Sequence, residues 1–395
     1  MSWFFNKRSI KKDKLFLALD IGTESIKALI FSYNNNDKKI KVLADGLAYL
    51  EEYMKFSFTE LENESLKKSI SLAVNNAVSI LESSEKRIKI KKKWQVFLGL
   101  PPNVLKAKVV SQSYLRSLPN KKISAREKDI ISSDVLESAK KKISDNFLKN
   151  FGILSQDINW ISLKIIESKI DGYLVPSIVG YEGKIVEFEI IGVFLPKNYW
   201  QSFDGIFNSL KLEIKEVVHL SEALPIFSKD RKDCGIFLDV GADITQIFVL
   251  KEGRIIHVDD FKSGGRLFNQ TLSELWGLDR ETIRTMIINY SKRLLTESAA
   301  KRIKEVFSPD KSAWAKSIKI HLKRIKNREA FPCFIFGGAS QIPEIEESLK
   351  EIGDFDCRRT EVLSLKDFKT VEDENKRLNN PQYIPCLLIS HIILK

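Results

Sequence analysis

Short runs of apolar residues, each long enough for one buried strand, recur along the chain and are separated by polar turns. The first such run is 15–19, and an unbroken apolar run is typical of a strand buried on both faces. Similar runs at 26–33 and 40–50 predict that the chain opens with a hairpin-rich sheet. Over 61–81 the apolar residues recur at helical spacing instead, which predicts an amphipathic helix.

The middle of the chain, residues 103–197, has a different pattern. It lies between the dipeptide Pro101-Pro102 and Pro196, which interrupt the pattern on either side. A helix is predicted within it at 125–142, and strands are predicted at 107–115, 160–168, 173–175 and 185–195. We therefore predict that 103–197 forms a small α+β subdomain inserted into the first half of the chain.

The second half of the chain repeats the opening of the first half. Residues 235–239 form an apolar strand that ends in Asp-x-Gly, as does the strand that leads to Asp20. A repeat at a distance of about 220 residues predicts two related lobes. We assign the first lobe to 15–102 and 198–230, the second lobe to 231–395, and a basic, aromatic leader to 1–14.

Composition and charge narrow the class of protein. The chain has 395 residues, of which 43% are hydrophobic and 29% charged, and these fractions exclude disordered and collagen-like chains. Four scattered cysteines without a paired motif favour a reducing compartment. The net charge of +12 comes from basic runs at 7–14, 86–93 and 311–328. No groove-reading or base-stacking motif accompanies these runs, so we predict no nucleic-acid partner.

The turn after the first strand carries candidate chemistry. It reads Asp20-Ile-Gly-Thr-Glu-Ser-Ile-Lys27. A glycine in a tight turn lets backbone N–H groups approach phosphate oxygens, and the hydroxyls of Thr23 and Ser25 and the charge of Lys27 suit the same ligand. Asp20 is placed to hold the water shell of Mg²⁺. Taken alone, these residues fit an ordinary β-hairpin turn better than a phosphate site.

Three further glycine-containing turns strengthen the phosphate hypothesis. The second Asp-x-Gly turn reads Asp239-Val-Gly-Ala-Asp-Ile-Thr245, and two such turns facing each other would hold a polyphosphate from both sides. Gly264-Gly265 follows between a strand and a helix. Phe334-Ile-Phe-Gly-Gly-Ala-Ser340 then leads from a buried strand into another helix, an arrangement that suits a ribose and a base.

In this order the turns resemble those of the actin-like ATPase superfamily, which includes actin, sugar kinases, heat-shock chaperones and the bacterial actins. The resemblance covers 15–394 and implies an α/β, two-lobed, duplicated ribonuclease H-like fold that binds ATP and Mg²⁺ between the lobes. It implies that Asp20 and Asp239 are catalytic and hold Mg²⁺ through water. The nucleotide-binding residues that it implies are Gly22, Thr23, Glu24, Ser25, Lys27, Gly241, Ala242, Asp243, Thr245, Gly264, Gly265, Glu281, Arg284, Gly337, Gly338, Ala339 and Ser340.

The insert resembles that of one family in particular. Asp171-Gly-Tyr173 followed by Gly180-x-x-Gly183 is similar to the insert of the cell-division family FtsA. This resemblance implies a self-associating adaptor that links the FtsZ ring to the membrane. The implied partners are the FtsZ C-terminal tail, other copies of the chain, and divisome proteins bound through the insert. The implied location is the cytoplasmic face of the inner membrane.

Two other assignments remain open. The PilM family of type IV pilus assembly has the same two-lobe plan, and its short aromatic and basic leader is similar to residues 1–27. That resemblance implies a cytoplasmic adaptor for inner-membrane pilus proteins. A sugar kinase would need a catalytic aspartate and a sugar pocket in place of the insert, and the sequence offers no such cluster.

The second turn departs from the superfamily pattern Asp-x-Gly-Gly-Gly-Thr-Thr-Asp. Two glycines are replaced, and Asp243 adds a carboxylate near the expected γ-phosphate. Such a like-charge pair costs on the order of 4 kcal/mol at about 4 Å unless Mg²⁺ or Lys27 compensates it. Glu222 falls near the position where relatives orient the attacking water. We expect nucleotide binding with weak or absent hydrolysis.

The two ends of the chain bear on membrane contact. Residues 386–394 have the apolar pattern of a terminal core helix, and we expect no C-terminal anchor. In the leader, Trp3, Phe4 and Phe5 precede Lys and Arg residues. This combination suits a membrane surface or, alternatively, a frayed basic N-terminus.

Overall fold

The computed structural model describes residues 14–34, 36–51, 59–84, 94–228, 234–325, 331–352, 359–373, 378 and 380–395. The aromatic part of the leader and the basic run at 86–93 lie outside the described residues. Among the helices of the described part, none is long and apolar enough to cross a membrane.

Strands and helices alternate through most of the described chain. The strands are β1 (Leu15–Ile21), β2 (Ser25–Asn34), β3 (Lys39–Tyr49), β4 (Trp94–Gly99), β5 (Lys106–Leu115), β6 (Ile158–Ile170), β7 (Tyr173–Leu174), β8 (Ile185–Pro196), β9 (Leu212–Val217), β10 (Gly235–Val240), β11 (Thr245–Lys251), β12 (Arg254–Phe261), β13 (Cys333–Phe336), β14 (Thr360–Val362) and β15 (Val371–Glu372). The helices are α1 (Glu60–Ser84), α2 (Ala125–Phe151), α3 (Lys197–Ser209), α4 (Leu220–Ser228), α5 (Gly265–Trp276), α6 (Arg280–Ser291), α7 (Glu297–Leu322), α8 (Pro343–Glu351) and α9 (Ile384–Ser390).

Two sheets of the molecule repeat one strand order. The first sheet runs β15-β3-β2-β1-β4-β9, and the second runs β12-β11-β10-β13-β14. In each sheet a central strand, β1 or β10, pairs antiparallel with the next strand of the chain and parallel with a later one. Asp20 and Asp239 lie near the ends of these two central strands. The duplication inferred from the sequence is therefore present in the strand order.

The insert is a separate sheet with its own helix. Its strands run in the order β5-β8-β6-β7, and α2 supplies buried residues to a small core of its own with β6 and β8. The Ser124 side chain caps the start of α2, and Gly152, with φ of 70°, ends it. An α+β subdomain therefore forms here.

The chain returns to the first sheet after it has completed the second. Strand β15 pairs with β3, and every residue of α9 is buried in the core that β1 and β4 belong to. The prediction that 386–394 packs in the core is confirmed for Cys386, Leu387, Leu388, Ile389 and Ile392, which are buried in that core. The assignment of all of 231–395 to the second lobe differs from the structure at this point, because the apolar residues of α9 complete the first core.

Candidate functional site

A cavity of about 360 Å³ lies where the β1–β2 turn approaches the β10–β11 turn. Its volume is within the range of about 300–1,000 Å³ that is typical of small-molecule sites. Asp20 and Asp239 both line it. The ends of the two equivalent central strands therefore share one cavity, although they belong to different sheets.

Most of the residues that the sequence singled out reach the wall of this cavity. They are Asp20, Gly22, Thr23, Glu24, Ser25, Lys27, Asp239, Gly241, Ala242, Asp243, Gly265, Arg284, Gly337, Gly338 and Ala339. Four others are not among the described residues that line it: Thr245, Gly264, Glu281 and Ser340.

Three of those four support the wall from behind. The Thr245 hydroxyl donates to the Ser263 carbonyl at 2.7 Å within the second lobe. Gly264 packs beneath the β10–β11 turn, since a Cβ there would lie 2.4 Å from the Gly241 carbonyl oxygen. The Ser340 hydroxyl donates to the Gly337 carbonyl at 2.8 Å. These residues shape the turns, whereas Glu281 lies on α6, away from the wall.

An ion pair fixes the charges of the first turn. The Nζ of Lys27 lies 3.1 Å from Oδ2 of Asp20, because the antiparallel register of β1 and β2 sets these residues opposite each other. Burial disfavours the lysine charge, but the Asp20 carboxylate outweighs burial and raises the pKa of Lys27. The Gly22 N–H donates to the Ser25 carbonyl at 3.0 Å and closes the turn.

In the second turn the residue opposite the aspartate is not a cation: Asp239 lies opposite Gln246. Burial, together with the negative charge of Asp20, raises the pKa of Asp239 to about 7 against the opposing effect of Lys27. Gly337 packs on this carboxylate: its φ is 94°, and a Cβ there would lie 2.3 Å from Oδ1 of Asp239. Two carboxylates that share one lysine form a site that favours an added cation.

Asp243 is compensated by a residue that the sequence analysis did not single out. Its Oδ1 lies 2.6 Å from Nη1 of Arg266 in the first turn of α5. Lys27, which the sequence analysis named beside Mg²⁺ as a charge that could compensate the repulsion between Asp243 and a phosphate, has Asp20 as its ion-pair partner. Burial raises the pKa of Asp243, and Arg266 and a hydrogen bond from Thr23 oppose that shift.

Helix α6 bridges the two sides of the cavity. The Arg284 guanidinium lies 3.7 Å from the centre of the Tyr49 ring, and its Nε lies 3.8 Å from Oε1 of Glu24. Arg280 donates from Nη1 to the carbonyl of Leu50 at 3.0 Å. Arg284 therefore lies at the cavity wall, as the resemblance implied, and also contacts the first sheet.

Two buried polar residues of the wall were missed. Gln246 lies opposite Asp239 in the β10–β11 register, and its Nε2 is 3.3 Å from Nε2 of His219. Burial lowers the pKa of His219 to about 4, so its ring is neutral at physiological pH. One sequence signal identifies Gln246: it follows Asp239 by seven residues, as Lys27 follows Asp20. No comparable signal identifies His219.

Glu222 has a different role from the one expected. It is not among the described residues that line the cavity. Its carboxylate accepts a hydrogen bond from the Ser162 hydroxyl at 3.0 Å and pairs with Lys164. Both partners belong to β6 of the insert, so Glu222 fastens α4 to the insert, and the expectation that it orients water is wrong.

Part of the cavity lining is apolar. Ile287, Ile288 and Ile342 contribute side chains to it. Asn380 and Gln382, which precede α9, line it as well. An apolar wall with a few amide groups suits a flat heterocyclic base. The sequence analysis assigned no ligand contact to 380–382, since that segment reaches the cavity only through the return of the chain.

The fold has clear structural relatives although no family model and no curated protein matches the chain. A solved PilM–PilN type IV pilus biogenesis complex matches with a TM-score of 0.65 and 13% identity over 96% of this chain and 98% of that chain. The ethanolamine utilization protein EutJ from Carboxydothermus hydrogenoformans matches with a TM-score of 0.51 and 13% identity, over 96% and 89%. These likenesses establish the fold alone: it is the actin-like ATPase fold, as the sequence predicted.

Proposed function

We propose that this protein is a nucleotide-binding actin-like adaptor. The observation that carries the proposal is that both Asp-x-Gly turns, from two sheets of equal strand order, line a single cavity. A ligand with an apolar, flat part and a charged part fits a cavity lined by isoleucines as well as by aspartates, glycines and a lysine. ATP or ADP with Mg²⁺ has this character.

The residues present fit a Mg²⁺–nucleotide. Asp20 and Asp239 would hold the hydrated cation, which supplies positive charge between two carboxylates that now share only Lys27. Mg²⁺ usually binds through one or two carboxylates plus phosphates. The absence of a cluster of three or more metal-ligating side chains among the described residues agrees with that mode.

The geometry favours a switch more than rapid catalysis. Residues of both turns contact the phosphates together only when the lobes are close, so binding stabilises the closed state by differential contact. Glu222 is engaged by the insert, and Asp243 adds negative charge beside the phosphates. We therefore propose weak or absent ATP hydrolysis.

For the cellular role we propose a PilM-like adaptor of type IV pilus assembly at the cytoplasmic face of the inner membrane. The support is the full-length match to a chain solved as a PilM–PilN complex. By that analogy the partner is a PilN-like protein. The same proposal includes self-association. It also includes contact of the leader with the membrane surface through Trp3, Phe4 and Phe5.

An FtsA-like role in cell division is the second candidate. Its support is the insert hairpin, where Asp171 and Gly172 have φ of 48° and 85° and lead into Tyr173, together with the positive φ of Gly180 and Gly183. In that role the insert would bind divisome proteins, and the partner of the adaptor would be the FtsZ tail.

Calorimetric titration with ADP and an ATP analogue, with and without Mg²⁺, tests nucleotide binding. We expect saturable binding that is strengthened by Mg²⁺ and weakened at least about tenfold in Asp20→Asn. An exposed acid on α2 provides the charge-matched control, Asp145→Asn, which should bind as the wild type does. Failure of every nucleotide to bind would refute the proposal.

A binding assay with two immobilised ligands separates the two roles. The cytoplasmic segment of PilN and the FtsZ C-terminal tail are presented to the full-length protein under the same conditions. Retention by PilN alone supports the pilus role, and retention by FtsZ alone supports the cell-division role. Retention by neither would contradict both.

A further inference from the structure

The first N–H groups of α5, which an anion could use on the second-lobe side of the cavity, are already engaged. A helix N-terminus offers free N–H groups that commonly bind phosphate. At the start of α5, however, the Gly265 N–H donates to the Gly241 carbonyl at 2.9 Å and the Arg266 N–H to the Ala242 carbonyl at 2.8 Å. The Leu267 N–H donates to the Gly264 carbonyl at 3.2 Å. The β10–β11 turn itself therefore occupies this helix end.

The Asp243 carboxylate engages two further donors beside the cavity, one from each side. The Arg266 guanidinium contacts it at 2.6 Å, and the Thr23 hydroxyl, from the opposite turn, donates to it as well. A guanidinium and a hydroxyl are the groups that usually hold a phosphate oxygen. Asp243 lines the cavity together with Thr23, so a negative charge of the protein stands between the two turns.

The position of this carboxylate matches the last phosphate of a chain, not the first. Ile287, Ile288 and Ile342 line the same cavity, and a base would lie against these apolar side chains. Asp20 and Asp239 line the cavity as well, and phosphates held near these carboxylates would extend toward the tips of the turns that follow them. Thr23 and Asp243 lie at those tips, so the outermost phosphate would meet Asp243.

We propose that Asp243 is a specificity-determining residue that takes the place of a terminal phosphate, so that the cavity selects a nucleoside diphosphate over a nucleoside triphosphate. This inference rests on the proposed nucleotide binding and adds the class of nucleotide. A diphosphate leaves the contacts of Asp243 with Arg266 and Thr23 intact. The terminal phosphate of a triphosphate must displace the Asp243 carboxylate or lie beside it. Two negative charges in contact repel each other.

Titration of the wild-type protein with ADP and with the β,γ-imido analogue of ATP, both with Mg²⁺, tests this selectivity. We expect ADP to bind about tenfold or more tightly than the analogue. Equal affinities, or a preference for the analogue, would overturn the inference while leaving nucleotide binding established. No binding of either ligand would overturn nucleotide binding and this inference together.

A charge-removing variant assigns the selectivity to Asp243. Asp243→Asn keeps the side-chain volume and is expected to bring the two affinities to within about threefold of each other. Asp145→Asn removes the same charge from the distant α2 and should keep the wild-type ratio. A ratio in Asp243→Asn equal to that of the wild type would contradict the assignment. The ratio of two affinities is the readout, because a merely structural loss would weaken both ligands alike.

Discussion

The two Asp-x-Gly turns end equivalent strands of equivalent sheets, yet they balance their charges differently. In the first turn the residue opposite Asp20 is Lys27, and in the second the residue opposite Asp239 is Gln246. The first turn therefore contains its own ion pair, whereas Asp239 has a raised pKa. The duplicated strand order fixes where each carboxylate lies. In the first turn a cross-strand lysine pairs with it, and in the second turn burial and the nearby Asp20 raise its pKa.

Replacing Lys27 with glutamine would give the first turn the chemistry of the second. Lys27→Gln leaves the mostly buried Asp20 carboxylate beside Asp239 without its cation. We expect the free energy of unfolding to fall by about 3–5 kcal/mol, measured by chemical denaturation. The exposed lysine of the Lys39–Glu372 pair supplies the control, and Lys39→Gln should leave the denaturation midpoint unchanged. Equal effects of the two substitutions would contradict the account.

Neutralising Asp239 tests the other turn through pH. The folded-state pKa of Asp239 is raised to about 7, so the folded protein binds more protons than the unfolded chain between about pH 4 and pH 7. Ionisation of Asp239 therefore lowers the free energy of unfolding as pH rises through that window. Above about pH 7 this contribution no longer changes with pH. Asp239→Asn removes the loss.

Denaturation curves over pH 4–8 give the measurement for Asp239→Asn. We expect the variant to gain stability relative to the wild type as pH rises, by roughly 2–4 kcal/mol at pH 8. Parallel pH profiles for variant and wild type would show that Asp239 titrates normally. That result would remove the contrast between the turns.

Two adjacent glycines, Gly337 and Gly338, report how tightly the loop after β13 packs on the second turn. Gly337→Ala places a Cβ against the Asp239 carboxylate at a positive φ, and the backbone conformation alone costs about 1–3 kcal/mol for a residue other than glycine. Gly338→Ala meets no atom within 4 Å and is the matched control. Thermal unfolding should separate the two variants. Equal melting temperatures would show that the loop can move away from Asp239.

The parts of the fold that the sequence predicted were those encoded locally. An apolar run followed by Asp-x-Gly identifies the end of a buried strand, and two such runs identified both central strands. Helix α7 was missed because its basic residues were interpreted as a solvated face. Its buried side chains, Phe307, Trp314 and Ile318 among them, recur at helical spacing and would have revealed it.

The parts of the site that were missed depend on contacts between distant segments. Arg280 and Leu50 lie 230 residues apart along the chain, and no local pattern links them. Arg266 follows the Gly-Gly turn directly, but only the packing of α5 beneath the β10–β11 turn brings it to Asp243. The pairing of charges from distant segments depends on tertiary structure. The sequence therefore identified Asp243 but not Arg266, its ion-pair partner.

A crystal structure of the full-length protein with ADP and Mg²⁺ is the most direct test of the central claim. The account predicts density for the phosphates between the Gly22–Ser25 turn and the Gly241–Ile244 turn, with a hydrated cation between Asp20 and Asp239 and the base beside Ile342. Density for the nucleotide elsewhere on the protein, with the space between the turns unfilled, would contradict it.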